Sequence, residues 1–174
     1  MRILTATALL LAASACVPQP VSPPAPAPAP VAALPAPSVA APPPRGSDWR
    51  DWPLTPGDWT WQRDARGSIA RFGSASAARL ALRCDLARRQ VMLSVEGAAP
   101  TTLTIRTSSV ARALPVQPAG GNPPSVAATL AANDGLLDAM GFSRGRFVIE
   151  RPGAPALVLP AWAEIERVTE DCRG

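Results

Sequence analysis

Apolar and polar residues alternate with a period of two through much of the chain after residue 45. In the segments 80–84, 91–95 and 103–105, every second side chain is apolar. Strict alternation predicts antiparallel strands with one face on a core and the other in solvent. A first hairpin around the turn 65–67 and several later strands are predicted from similar runs. These further strands are 58–63, 68–72, 126–130, 146–150 and 156–159.

The pattern as a whole predicts a mainly β fold, a small antiparallel β-sandwich or barrel, with one or two short helices. The first helix is capped by Asp134 and ends at Gly141. The second is predicted to open at Pro160, a residue favoured at a helix start. The segment 115–124, which contains paired glycines, is predicted to be a loop. The second helix is predicted to bury Trp162, Ile165, Val168 or Thr169, and Cys172 on one face.

The first 44 residues differ in composition from the rest, since they contain one charged side chain, Arg2. Residues 17–44 are almost entirely Pro, Ala and Val, a composition that favours an extended, semi-rigid chain. At about 3.1 Å per residue such a chain reaches roughly 80–90 Å. We predict a disordered Pro/Ala-rich tether that acts as a spacer. The alternatives are a ligand for a proline-recognition domain and a segment that threads the cell-wall mesh.

The N-terminus has the three parts of a secretory signal. A positive start precedes the apolar run 3–11, and small residues follow as far as Ala15. The run is much shorter than the roughly 20 residues of a membrane-spanning helix. The segment 11–16, Leu-Ala-Ala-Ser-Ala-Cys, resembles the bacterial lipobox. The alternative is ordinary cleavage after Ala15, followed by a chance cysteine.

The lipobox resemblance implies that Cys16 receives a diacylglycerol and becomes the mature N-terminus. Val17 then favours the outer membrane over the inner membrane, with the protein facing the periplasm. The expected organisation is therefore a signal peptide at 1–15, a lipidated cysteine and linker at 16–44, and a β-rich periplasmic domain at 45–174. The membrane is the first expected partner, through this lipid anchor.

The two remaining cysteines lie on predicted core faces, Cys84 on a strand and Cys172 on the last helix. With Cys16 lipidated, one pair is left in an oxidising compartment. We therefore predict a Cys84–Cys172 disulfide. Two buried free thiols are the alternative.

Missing residue types exclude most kinds of catalysis. The chain has no His, Lys or Tyr, and all 17 basic residues are Arg. Histidine-based triads, the usual zinc sites and lysine nucleophiles are thereby excluded. Carboxylate pairs remain, as in glycoside hydrolysis, but their positions favour solvated surface. We expect no enzyme, cofactor or metal, and the net charge of +4 is too small to indicate a nucleic-acid partner. The pairs are Asp48 with Asp51, Glu164 with Glu166, and Glu170 with Asp171.

Two sets of residues could form a binding surface. Four tryptophans crowd into residues 49–61, where they could stack on a glycan or an envelope protein, or could pack into the core. Arginines of the first hairpins could bind anionic lipid, lipopolysaccharide or an acidic protein, or could form the solvated face of a sheet. The residues are Trp49, Trp52, Trp59 and Trp61 in the first set, and Arg83, Arg88 and Arg89 in the second.

Three segments resemble the membrane-bound C-type lysozyme inhibitors: 82–85 followed by 91–93, 142–147, and the closing Cys172. This resemblance implies a small β-barrel lipoprotein with a disulfide of similar placement. The strand-strand-helix-Cys ending is also similar to the invasion-associated locus B proteins. Neither resemblance covers the whole domain, and no functional residue is transferred. The leading hypothesis is a non-catalytic envelope lipoprotein that binds a partner or supports envelope structure. A periplasmic lysozyme inhibitor is the alternative, and an envelope hydrolase comes third.

Overall fold

Ten strands and two α-helices make up most of the described residues of the computed structural model, which are 46, 48–74, 77–97 and 102–174. A short 3-10 turn, Trp49–Asp51, precedes them. The helices are α1 (Gly135–Gly141) and α2 (Ala163–Arg173). The fold is therefore mainly β with two short helices, as predicted. The strands are β1 (Asp58–Asp64), β2 (Gly67–Gly73), β3 (Ala78–Asp85), β4 (Gln90–Glu96), β5 (Thr102–Arg106), β6 (Ala111–Pro115), β7 (Gln117–Gly120), β8 (Ser125–Ala131), β9 (Arg146–Arg151) and β10 (Ala154–Pro160).

The strands form two antiparallel sheets. The six-stranded sheet has the order β1-β2-β3-β4-β8-β7, and the four-stranded sheet has the order β10-β9-β5-β6. In the pairing of β3 with β4, Leu82 faces Leu93 and Cys84 faces Val91 across the ladder. Apolar residues thus meet on one face of the sheet, which is the arrangement that the period-two pattern predicts.

One core joins the two sheets and α2. It includes Leu82 and Leu93 from the six-stranded sheet, Ile105 and Ile149 from the four-stranded sheet, and Ile165 from α2. Each of these side chains has no exposed surface. Burial of a side chain of this size contributes roughly 1.5–3 kcal/mol, so this shared core is the main source of stability.

A disulfide attaches α2 to the six-stranded sheet. Cys84 of β3 and Cys172 of α2 are bonded, with their Cα atoms 5.4 Å apart and 88 positions apart in sequence. Both residues are fully buried. The predicted pairing is confirmed. The bond encloses most of the described chain in one covalent loop, because its two residues are 88 positions apart.

Two details of the predicted elements are wrong. The segment 115–124 is not a simple loop, because it contains β7, which pairs with β8 through Gln117 and Ala127. All four residues of β7 are exposed, so the strand has no alternating apolar pattern. The last helix begins at Ala163, since Pro160 is the final residue of β10. Trp162 is consequently the N-cap of α2 and does not lie on its buried face.

The predicted signal peptide, Cys16 and the Pro/Ala-rich linker lie outside the described residues. Within residues 46, 48–74, 77–97 and 102–174, no helix has the length and apolar character needed to cross a membrane.

Candidate binding surfaces

Trp59 is a core residue. It lies on β1 with 6% of its surface exposed, and its ring is tilted against Phe72 with the ring centroids 5.4 Å apart. Its indole N–H donates to the carbonyl of Pro160 over 2.9 Å. The bond satisfies the polar atom of a buried indole and joins β1 to the end of β10. Trp59 thus serves packing and offers no surface to a ligand.

Trp61 lies two residues further along β1 and is half-buried beside α2. The guanidinium carbons of Arg63 and Arg167 lie 5.7 and 5.6 Å from the centroid of its ring. Its indole N–H donates to Asp171 Oδ2 over 3.2 Å, and Arg63 also pairs with Asp171. The ring is therefore engaged by two cations, which reduces its value as a platform for a sugar ring.

Trp49 and Trp52 belong to the segment that precedes β1. The guanidinium of Arg50 lies 4.9 Å from the centroid of the Trp49 ring. The Trp52 indole N–H donates to the carbonyl of Gly46 over 2.7 Å, and the Trp52 carbonyl accepts a hydrogen bond from Arg146. The first two contacts lie within the segment, and the bond from Arg146 attaches the segment to the first residue of β9, in the four-stranded sheet.

The three arginines of the predicted binding surface all contact other residues of the domain. Arg83 pairs with Asp64 over 2.7 Å, and Arg88 pairs with Asp85 over 2.6 Å. Hydrogen bonds from these guanidinium groups hold the pKa of both carboxyls below the usual value. Arg89 donates to the carbonyl of Arg173. The charges of Arg83 and Arg88 are thus neutralised locally. The two arginines border a shallow groove of about 280 Å³ that is also lined by Arg66, Asp85, Gln90, Met92 and Thr129.

The candidate carboxylate pairs do not form one acidic site. Asp48 pairs with Arg50, and Asp171 pairs with Arg63. Glu166 lies in a different environment, because burial raises the pKa of its carboxyl and its buried Oε1 has no hydrogen-bond partner among the described residues. A Cβ at Gly141 would lie 1.5 Å from this oxygen, so the carboxylate lies directly over the end of α1. Within the described part of the chain, His, Cys, Asp and Glu residues form no group suited to a metal ion.

A further set of exposed apolar side chains lies on segments at one end of the four-stranded sheet. Among the described residues, six large apolar side chains are exposed. Four of them lie on segments that hydrogen bond to one another or to the strands β9 and β10. We call these four side chains the aromatic corner. Its members are Leu54 (43% exposed), Val110 (40%), Phe142 (72%) and Trp162 (47%).

Backbone hydrogen bonds converge on the loop 141–145, which carries Phe142. The amide of Ala161, next to Trp162, donates to the carbonyl of Gly145 over 3.4 Å. On the other side, the amide of Ser108 donates to Ser143 Oγ over 3.0 Å. This loop is thereby held between the start of α2 and the turn that ends at Val110.

Leu54 reaches the same region along the edge of β10. The amide of its neighbour Thr55 donates to the carbonyl of Val158 over 2.8 Å, and Thr55 Oγ1 accepts from the Val158 amide over 2.9 Å. Val158 lies two residues before Pro160, the residue that faces Arg146 in the next strand. Arg146 in turn donates to the Trp52 carbonyl. The N-terminal segment and the two loops therefore meet beside the ends of β9 and β10.

The sequence pattern does not reveal this corner, because its four residues come from four separate segments. The helical pattern predicts Trp162 on a buried face, and Phe142 belongs to no predicted strand or helix, since it enters only through the resemblance of the segment 142–147 to the lysozyme inhibitors. The proline at 160 was the available signal, since it also suits a strand end and would leave Trp162 outside the helix. Comparison of the chain with protein-family models, with curated proteins and with solved structures finds no match.

Proposed function

We propose that the protein is a non-catalytic envelope lipoprotein, anchored through Cys16 and directed to the outer membrane on its periplasmic side. Its β-sandwich works by binding, and the aromatic corner is the binding surface. The observation that carries the proposal is that four exposed apolar side chains lie on segments that hydrogen bonds hold at one end of the four-stranded sheet. Aromatic side chains concentrate binding energy, and fixed loops lower the entropic cost of using them.

The carboxylates give further support to binding over acid–base chemistry. Asp134, for example, caps α1 and accepts a hydrogen bond from Arg112 over 2.8 Å, which is the main reason that its pKa is lowered. A general acid needs a raised pKa and access to a substrate. Glu166 has the first property, but its side chain, which projects from α2, packs directly against Gly141 at the end of α1.

The anchor is tested by metabolic labelling with a fatty-acid probe. We expect label in the wild-type protein and none in Cys16→Ala, with a matching shift from the outer-membrane fraction to the soluble periplasm. Leu86→Ser serves as the matched control, because the loss of one exposed side chain of the folded domain should leave acylation unchanged. Label that persists in Cys16→Ala, or a wild-type chain without label, would refute the anchor.

Binding through the aromatic corner is tested with a photoreactive amino acid placed in living cells. We expect crosslinks from positions 142 and 162, and none from position 86, where Leu86 is exposed on the β3–β4 turn. Titration of lysozyme with the purified protein runs in parallel, because the resemblance to C-type inhibitors implies that activity. Loss of lysis that survives substitution of Phe142 would contradict the assignment of this surface.

A further inference from the structure

We infer that the ligand of the aromatic corner is the phospholipid surface of the membrane that holds the anchor. The inference rests on the proposed lipid anchor and adds to it a second, non-covalent contact. On this view the domain exchanges between a free state at the end of its tether and a state docked on the bilayer.

The first argument is the place where the tether joins the domain. Residues 17–45 precede Gly46, and the Gly46 carbonyl accepts a hydrogen bond from the Trp52 indole. The Trp52 carbonyl is held by Arg146, at the junction on which the corner is built. The chain from the anchor therefore enters the domain beside the corner. A surface beside the point of attachment lies on the side of the domain from which the anchored chain arrives.

The second argument is the chemistry of the exposed side chains. Exposed tryptophan, phenylalanine and leucine side chains are typical of surfaces that insert to the level of lipid headgroups. Arg144 is exposed on the same loop as Phe142 and forms no salt bridge with any described residue. Its guanidinium can bind a lipid phosphate while the adjacent ring enters the interface. A bilayer can therefore bind both the apolar side chains and the arginine of this surface.

The third argument is energetic. Four partly exposed apolar side chains give weak membrane affinity, which a freely diffusing protein could not exploit. A tether of this length confines the domain near the bilayer, so docking becomes an intramolecular step with a high effective concentration. A weak affinity of the corner for lipid is then enough for docking, and the domain can still leave the membrane.

Fluorescence quenching by brominated phospholipids tests the inference directly. The chain 16–174, with its disulfide intact, is coupled through the Cys16 thiol to a maleimide lipid in vesicles of zwitterionic phospholipid with a minor share of phosphatidylglycerol. This coupling supplies an anchor whether or not the cell acylates Cys16, so the result is independent of the labelling experiment. We expect strong quenching of tryptophan emission, most of which is lost in Trp162→Phe.

Paired variants separate docking from mere proximity. Phe142→Ser with Leu54→Ser should lower the ratio of docked to free domain by about tenfold, because two apolar side chains lose their burial in lipid. Leu86→Ser with Met92→Ser removes two exposed apolar side chains of the six-stranded sheet and its β3–β4 turn, and should leave quenching unchanged. Equal quenching in all variants, or no quenching that depends on Trp162, would overturn the inference. Crosslinks to a protein from positions 142 and 162 without quenching in pure lipid would assign the corner to a protein instead.

Discussion

Removal of the Cys84–Cys172 bond should destabilise the domain more than any single side-chain change considered for this protein. The perturbation is the double variant Cys84→Ala/Cys172→Ala. In the chain-entropy account, a disulfide stabilises by restricting the unfolded chain, and a separation of 88 positions corresponds to about 4–5 kcal/mol at room temperature. The free energy of unfolding of an ordinary domain is about 5–15 kcal/mol. The variant should therefore fold only marginally.

Urea unfolding followed by far-UV circular dichroism measures this loss. We expect a much lower midpoint, and a fall in melting temperature of about 15–20 °C for a domain of this size. Reduction of the disulfide in the wild-type chain should reproduce most of the effect. Cys16→Ala is the matched control, since it removes a cysteine and leaves the bond, and it should unfold like the wild type.

A loss below about 1 kcal/mol in the double variant would refute the reasoning. It would mean that the core contacts of α2 alone hold the helix on the six-stranded sheet. Complete unfolding at room temperature would still agree with the estimate, because the bond supplies a large share of a marginal total.

Three further changes test the packing around the two helices and β1. Glu166→Gln should stabilise the domain at neutral pH by less than about 1 kcal/mol, because the raised pKa makes the ionised form unfavourable in the folded state and solvent screens much of the effect. The stability that Glu166 contributes is present at acid pH and is lost as pH rises through its folded pKa, so the two proteins should converge in acid melts. Gly141→Ala should abolish the same pH dependence, because its Cβ would displace the carboxylate into solvent, and melts that keep the wild-type slope would contradict this. Trp59→Phe should cost about 1–3 kcal/mol in urea titrations, since the Pro160 carbonyl loses its buried donor. Trp61→Phe is the comparison at a half-buried site, and an equal cost there would show that burial does not decide the difference.

Local patterns were sufficient for most of the strands. The alternation of Leu80, Leu82 and Cys84 sets which face of β3 is buried, and the structure places these residues in the core. The disulfide also followed from pattern, because two cysteines on predicted core faces are brought together when both faces pack. Asp134 caps α1 through a hydrogen bond to the Leu136 amide, as its position before an apolar turn predicts.

The remaining features depend on contacts between distant segments. The exposed strand β7 exists through its ladder with β8, a long-range pairing with no apolar signal of its own. The exposure of Trp162 follows from the extension of β10 to Pro160, which moves the start of α2 by three residues. The aromatic corner depends on bonds such as that between Ala161 and Gly145, which no local pattern encodes.

The seven salt bridges among the described residues all use arginine. Because arginine stays charged, the net charge of these pairs changes little with pH near neutrality. The sequence offers no imidazole, amine side chain or phenol, and the disulfide occupies two of its three thiols. Apart from Glu166, whose pKa burial raises, few groups of this composition gain or lose a proton near neutral pH. A compartment whose pH follows the surroundings would therefore meet an unchanging surface charge, and ionic strength would become the variable that tunes these pairs.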